Sequence, residues 1–212
     1  GGGWNAGSPE MLYGLAEGLQ DRGVLSFLPE YRLLKNAGKA GISAPVEDVA
    51  RAWAWVVDYL REQCPAKEGP VLFGGGSAGG HLSLMAWHHH RKCFAGGNAP
   101  TGWILGNPVV NTSEEGFGHD LLGRDWQAYA PHLRIGSLPA PVLYLQGGAD
   151  TTTTPVLARS FMDGLRGRGT AVDFRMAEEA KHGFFNAPDY REWTLSQIID
   201  FIDRIAEDGG RE

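Results

Sequence analysis

Ser77, Asp150 and His182 are three residue types that together can activate a hydroxyl, and each stands in a loop that follows an apolar run. A serine attacks a carbonyl efficiently only when a base takes its proton, and that base needs an acid to hold it in the right orientation. Ser77 lies in Phe73-Gly74-Gly75-Gly76-Ser77-Ala78-Gly79-Gly80-His81. The spacing Gly75-x-Ser77-x-Gly79 is that of a sharp strand-to-helix turn that exposes its serine, with small residues at both ±2 positions relieving the crowding. Two other patterns share these glycines and fail. A phosphate loop needs Lys where His81 stands, and a dinucleotide fingerprint needs an acid about twenty residues on. From Val71 to Ser113 there is no Asp or Glu.

Of seven histidines, His182 is the best placed base, in Lys181-His182-Gly183-Phe184 between an expected strand and the last helix. His88, His89 and His90 are consecutive, so on a helix their side chains fan out and cannot converge. His81 follows Ser77 by one turn and reads as a packing residue, while His119 and His132 fall in an irregular stretch. Asp150 ends the run Val142 to Leu145 followed by Gln-Gly-Gly-Ala, with Pro155 opening the next helix. Asp173 and Asp163 read as ordinary surface charge within a strand and a helix. The chain order is therefore Ser, Asp, His, as in one triad architecture and unlike two others.

These loops must be carried by a frame. Apolar periodicity predicts helices over 8–20, 45–60, 78–90, 155–165 and 189–205, and one near 125–129. Short apolar runs at 24–28, 71–73, 103–105, 141–145 and 171–176 read as strands. Such alternation implies an α/β fold with a mostly parallel sheet covered by helices on both faces, whose sites lie at the carboxyl ends of the strands. Residues 1–212 read as one domain, with 108–140 as a small irregular insertion that lines the pocket.

Composition narrows the partners. The 212 residues carry 19 basic against 25 acidic side chains, a net charge of −6, which argues against a nucleic-acid or anionic-membrane surface. At 42% hydrophobic and 21% charged residues the chain is globular in composition. No apolar run is long enough to span a membrane. Cys64 and Cys93 form neither a disulfide framework nor a metal-ligand spacing, so no metal and no cofactor are expected. Oligomeric state and compartment are left open by the sequence.

With these loops in place the chain resembles the α/β-hydrolase superfamily, and within it the carboxylesterases related to hormone-sensitive lipase and to acetyl and xylan-type esterases. The resemblance runs through GGGW at 1–4, YRL at 31–33, PVEDVARAWAWV at 45–56, GGSAGGH at 75–81, GGAD at 147–150 with Pro155, and KHGF at 181–184. It implies that Ser77 is the nucleophile, His182 the base and Asp150 the acid. The backbone N–H groups of Gly2, Gly3 and Ala78 would hold the oxyanion, and Trp4, Trp126 and Phe184 would line the substrate pocket. The family's oxyanion motif carries a His that would precede Gly1. In that fold the strand before it lies between the runs at 24–28 and 71–73, so upstream sequence of roughly 50–80 residues is expected. Without that strand, 24–28 must pair with 71–73 or leave an edge open.

The activity so implied is hydrolysis of small, short-chain acyl esters, acetyl-type esters among them, through an acyl-enzyme. The insertion is too short for a large lid. Two alternatives stand beside it: a serine peptidase of the oligopeptidase type, and a hydrolase fold kept as a non-catalytic binding module.

Overall fold

The computed structural model describes residues 1–64 and 69–209. Among these, four strands form one parallel sheet in the order β1-β2-β3-β4: β1 Leu72–Gly76, β2 Gly102–Gly106, β3 Val142–Gly147 and β4 Val172–Ala177. The helices are α1 Tyr13–Gln20, α2 Ser43–Gln63, α3 Ala78–His89, the one-turn α4 His119–Leu122 and α5 Pro131–Arg134, α6 Pro155–Arg166 and α7 Pro188–Gly209. Each strand thus pairs with the next in sequence, and all four end at the same edge. That edge receives Ser77, Asn107, Asp150 and the loop of His182.

The central strands β2 and β3 are buried on both faces, as the middle of a parallel sheet requires. Because successive side chains alternate, Trp103, Leu105, Val142 and Tyr144 join a core shared with α2, α3 and α6. Leu143 and Leu145, with Leu72 and Ile104 packed alongside, face the opposite cluster built on Ile198 and Phe201 of α7 and on Leu15 and Leu19 of α1. The larger core is strongly aromatic beside β1. Trp53 packs on Phe73 at 4.8 Å and on Phe94 at 5.8 Å, while Trp103 meets Phe73 at 5.4 Å and Trp87 at 5.9 Å.

Two expectations from the sequence need correction. The run 24–28 is not a strand. An apolar run becomes one only when a neighbouring ladder takes up its backbone groups, and β1 pairs with β2 alone among the described residues. Instead Phe27 packs edge-on against Trp55 and Tyr59 of α2, at 6.1 and 5.6 Å. Among the described residues no strand pairs with the other edge of β1. The helix expected near 125–129 is replaced by α4 and α5 on either side of that stretch. Gly123, with φ of 50°, ends α4 before that stretch, and Pro131 opens α5 after it.

α2, α3, α6 and α7 match their patterns to within a few residues, while the helix expected over 8–20 is a 3₁₀ turn at Pro9–Leu12 followed by α1. In α2, Val46, Val49, Ala50 and Trp53 form the buried face. It begins at Ser43, so Pro45 sits within the first turn, where its absent N–H costs nothing. No described helix is long and apolar enough to cross a membrane.

Candidate active site

The turn at Ser77 explains the glycines around it. Ser77 has φ 54° and ψ −122°, a conformation that non-glycine residues adopt only under constraint. The constraint comes from both sides, since Ser77 N–H donates to the Gly106 carbonyl at 2.8 Å while its own carbonyl accepts from His81 and Val109, both at 3.2 Å. A Cβ on Gly75 would stand 2.8 Å from the backbone of Gly79, so the turn closes only without one. At Gly79 the space is more open, 3.7 Å from the nitrogen of Gly1, and the tight neighbour is Gly80. A Cβ there would meet Pro108 at 2.6 Å. Sequence reasoning picked Gly79 from its spacing and passed over Gly80, whose constraint comes from β2's distant exit.

His182 lies beyond β4, in a loop whose Gly183 has φ 75°. Its Nε2 is 2.8 Å from Ser77 Oγ, and its Nδ1 is 2.8 Å from Asp150 Oδ2. The structure thus brings together all three residues singled out from the sequence. Asp150 is buried, at 3% exposure, and its carboxylate is fully engaged. Oδ1 accepts the N–H groups of Thr152 and Thr153 at 2.8 and 2.9 Å, and Oδ2 accepts the Thr153 hydroxyl at 2.9 Å besides the imidazole. Burial alone would disfavour the charge, but the hydrogen bonds from His182, Thr153 and Thr152 outweigh it and hold the carboxyl below its ordinary range. A carboxylate that only accepts holds the ring proton on Nδ1, which leaves Nε2 free to accept from serine.

The acid and base loops are tied to each other by backbone. Gly148 N–H donates to Ala177 at 2.8 Å and Ala149 N–H to Ala180 at 3.0 Å. A Cβ on Gly148 would collide with Glu178, so the glycine pair of GGAD lets these loops touch.

The Gly1–Trp4 segment packs over the start of α3. A Cβ on Gly1 would stand 3.9 Å from the Gly76 carbonyl oxygen, and one on Gly3 would lie 3.3 Å from the Phe117 ring. Gly2, Gly3 and Trp4 have left-handed φ of 72°, 57° and 63°. Ala78 is the first residue of α3, where N–H groups have no acceptor within the helix and the dipole favours negative charge.

Trp4, expected in the pocket, is fully buried and acts as a strut. Its indole N–H donates to His81 Nδ1 at 3.2 Å, and His81 Nε2 lies 2.7 Å from the Tyr129 carbonyl. Indole can only donate and a carbonyl can only accept, so His81 carries its proton on Nε2. The packing role expected for His81 holds, and its partners join the first loop, α3 and the insertion. Burial lowers His81 to about 4, so its neutral form is the one that fits here. Trp126 is half-buried, its ring beside His119 at 5.4 Å. Phe184 packs into the second core with Tyr190 and Trp193, at 5.6 and 5.7 Å. Two other histidines are engaged elsewhere: His89 Nε2 lies 3.1 Å from the Ala128 carbonyl, and His132 Nδ1 lies 3.1 Å from that of Val110. Among the described residues no group of three His, Cys, Asp or Glu side chains could hold a metal.

Sequence reasoning missed Asn107 and Thr153. Asn107 follows β2, and its side-chain amide lies 3.0 Å from His182 Nδ1. Thr153 touches Asp150, His182 and the Asn107 carbonyl at once. Neither belongs to a recognisable motif, and only their place at a strand's carboxyl end could have drawn attention to them.

Known proteins resemble this chain over most of its length. Residues 43–209 match the prolyl oligopeptidase family. The carboxylic ester hydrolase LipN of Mycobacterium tuberculosis is 28% identical over 214 residues, covering 88% of this chain and 56% of that protein. The chain therefore spans a little over half the length of that relative. Esterase 2 of Thermogutta terrifontis, in its propionate-bound structure, is 27% identical with a TM-score of 0.79, covering 97% of this chain and 80% of the esterase. The same esterase phosphonylated by sarin gives 26% identity and a TM-score of 0.80, covering 97% of this chain and 81% of the esterase.

Proposed function

The chain belongs to the prolyl oligopeptidase family of α/β-hydrolases, and on that premise we propose that it hydrolyses carboxylic esters through an acyl-enzyme on Ser77. The observation that carries this reading is the unbroken relay from Ser77 Oγ to His182 to Asp150, with both links at 2.8 Å. In the first half-reaction Ser77 Oγ attacks the ester carbonyl while its proton passes to His182 Nε2. The carbonyl oxygen becomes an oxyanion, received by the N–H groups of Gly2, Gly3 and Ala78. As the tetrahedral adduct collapses, the C–O bond to the alcohol breaks and His182 returns the proton to the leaving alkoxide. Water then repeats the sequence on the acyl-enzyme, releasing the carboxylic acid and restoring the serine. Asp150 keeps its proton partner on Nδ1 throughout and stabilises the imidazolium.

The esterase relatives favour an acyl ester over a peptide, and the propionate and butyrate bound to the Thermogutta esterase favour a short acyl group. The insertion between β2 and β3, with its two one-turn helices, offers no long cover for an extended chain. Acetyl-type esters are the smallest of this class. The family name itself motivates a peptidase as second reading. A panel of short-chain p-nitrophenyl esters and matched peptide amides separates the two. Turnover of the esters, with loss of roughly 10³-fold or more in Ser77→Ala, is the expected result. Preference for the amides would favour the peptidase, and unchanged ester turnover in Ser77→Ala would remove Ser77 from the mechanism.

A further inference from the structure

His81 is fastened to the nucleophile turn and to the Gly1–Trp4 segment at once. Its backbone N–H donates to the Ser77 carbonyl at 3.2 Å, and its Nδ1 accepts the indole N–H of Trp4, also at 3.2 Å. Both side chains are fully buried, so the indole N–H has no solvent to bond if the imidazole is removed. Trp4 needs that hold. Its φ of 63° is left-handed although it carries a large side chain, and such a conformation persists only where its surroundings over-determine it. The other restraints on the ring are apolar. Phe117 lies 5.7 Å away, and a Cβ on Gly118 would collide with the indole. His81 supplies the directional one. Trp4 directly follows Gly3, so the fixed indole anchors the short turn that carries the Gly2 and Gly3 N–H groups.

Resting on the acyl-enzyme reading above, we infer that His81 is a positioning residue for that reaction: through Trp4 it holds the Gly2 and Gly3 N–H groups where the oxyanion forms. Its two ring nitrogens are taken by Trp4 and by the Tyr129 carbonyl at 2.7 Å, so it acts on the chemistry only through others. The bond to Trp4 is the one that reaches the oxyanion. It requires an acceptor at the Nδ1 place and a donor on the ring at residue 4.

The test removes the donor, then the acceptor, then returns the acceptor alone. Trp4→Phe keeps an aromatic ring against Phe117 and removes the N–H. It is expected to lower kcat for a short-chain p-nitrophenyl ester by about 10-fold or more, part of what a whole oxyanion donor supplies. KM should stay within about threefold, because the loss falls on the transition state. Affinity for a trifluoromethyl ketone, whose adduct with Ser77 carries the same oxyanion, should weaken by a similar factor. His81→Leu should match this loss, and adding Trp4→Phe to it should cost little more. His81→Asn puts a carbonyl oxygen on Cγ, near the place of Nδ1, and should regain most of the kcat lost in His81→Leu. Both variants lose the bond to Tyr129 and Asn leaves the larger gap, so a merely structural histidine would make His81→Asn no better than His81→Leu. Equal kcat in these two folded variants, or full kcat in Trp4→Phe, overturns the proposal. If neither His81 variant folds, Trp4→Phe and its ketone affinity decide alone. Full turnover in Ser77→Ala would bring down the acyl-enzyme reading itself, and this role with it.

Discussion

A hydroxyl, an imidazole and a carboxylate meet here because polar partners hold the acid and, through it, the base. Asp150 is that acid. Four donors occupy its two oxygens, so the charge persists despite burial and the imidazole stays in one tautomer. His81 shows the opposite device, a titratable ring kept neutral by the packing around it. Its proton affinity is lowered from 6.5 to about 4, so between those values the unfolded chain binds the proton that the folded chain refuses. The sign follows: stability falls as pH drops through this window, by roughly 3 kcal/mol from this group. Urea unfolding at pH 6.5 and pH 4 should show the wild type losing about that much more than His81→Asn. Equal losses would mean that the ring is not protected in the fold.

Among the elements, β1 and α3 form the unit that strains Ser77 into position, and this was the most legible part of the chain. The run Val71 to Phe73, the glycines and the apolar helix all announce it locally. The contact of Gly80 with Pro108 was not legible, because the second partner arrives from β2 about thirty residues later. Gly80→Ala puts a methyl 2.6 Å from Pro108, and backbone lies on its other side, so relief requires α3 to shift from β2. Overpacking of this kind costs about 1–3 kcal/mol, and thermal unfolding should register it as a lower Tm together with reduced ester turnover. An unchanged Tm would show that the elbow is looser than its geometry implies. Asn107 and Thr153 escaped the sequence for the same reason as Gly80, since their meaning lies in contacts between loops. The run 24–28 misled in the reverse sense. Its composition is that of a strand, but strand identity depends on a neighbour, and Phe27 finds α2 instead. Trp4 and Phe184 were read as pocket residues because motif position gives no direction; packing turned both inward.

For the molecule as a whole, the parallel order β1-β2-β3-β4 gathers at one edge residues separated by 105 positions in sequence. That gathering is what strand–helix alternation encodes, which is why fold class and triad could be read together while pocket shape could not. An activated serine at that edge can be tested without knowing the substrate. After exposure to a fluorophosphonate, peptide mass spectrometry should find one adduct, on Ser77, abolished by His182→Ala. An intact wild-type chain that stays unlabelled at Ser77, or labels there just as fast without the imidazole, would contradict the relay.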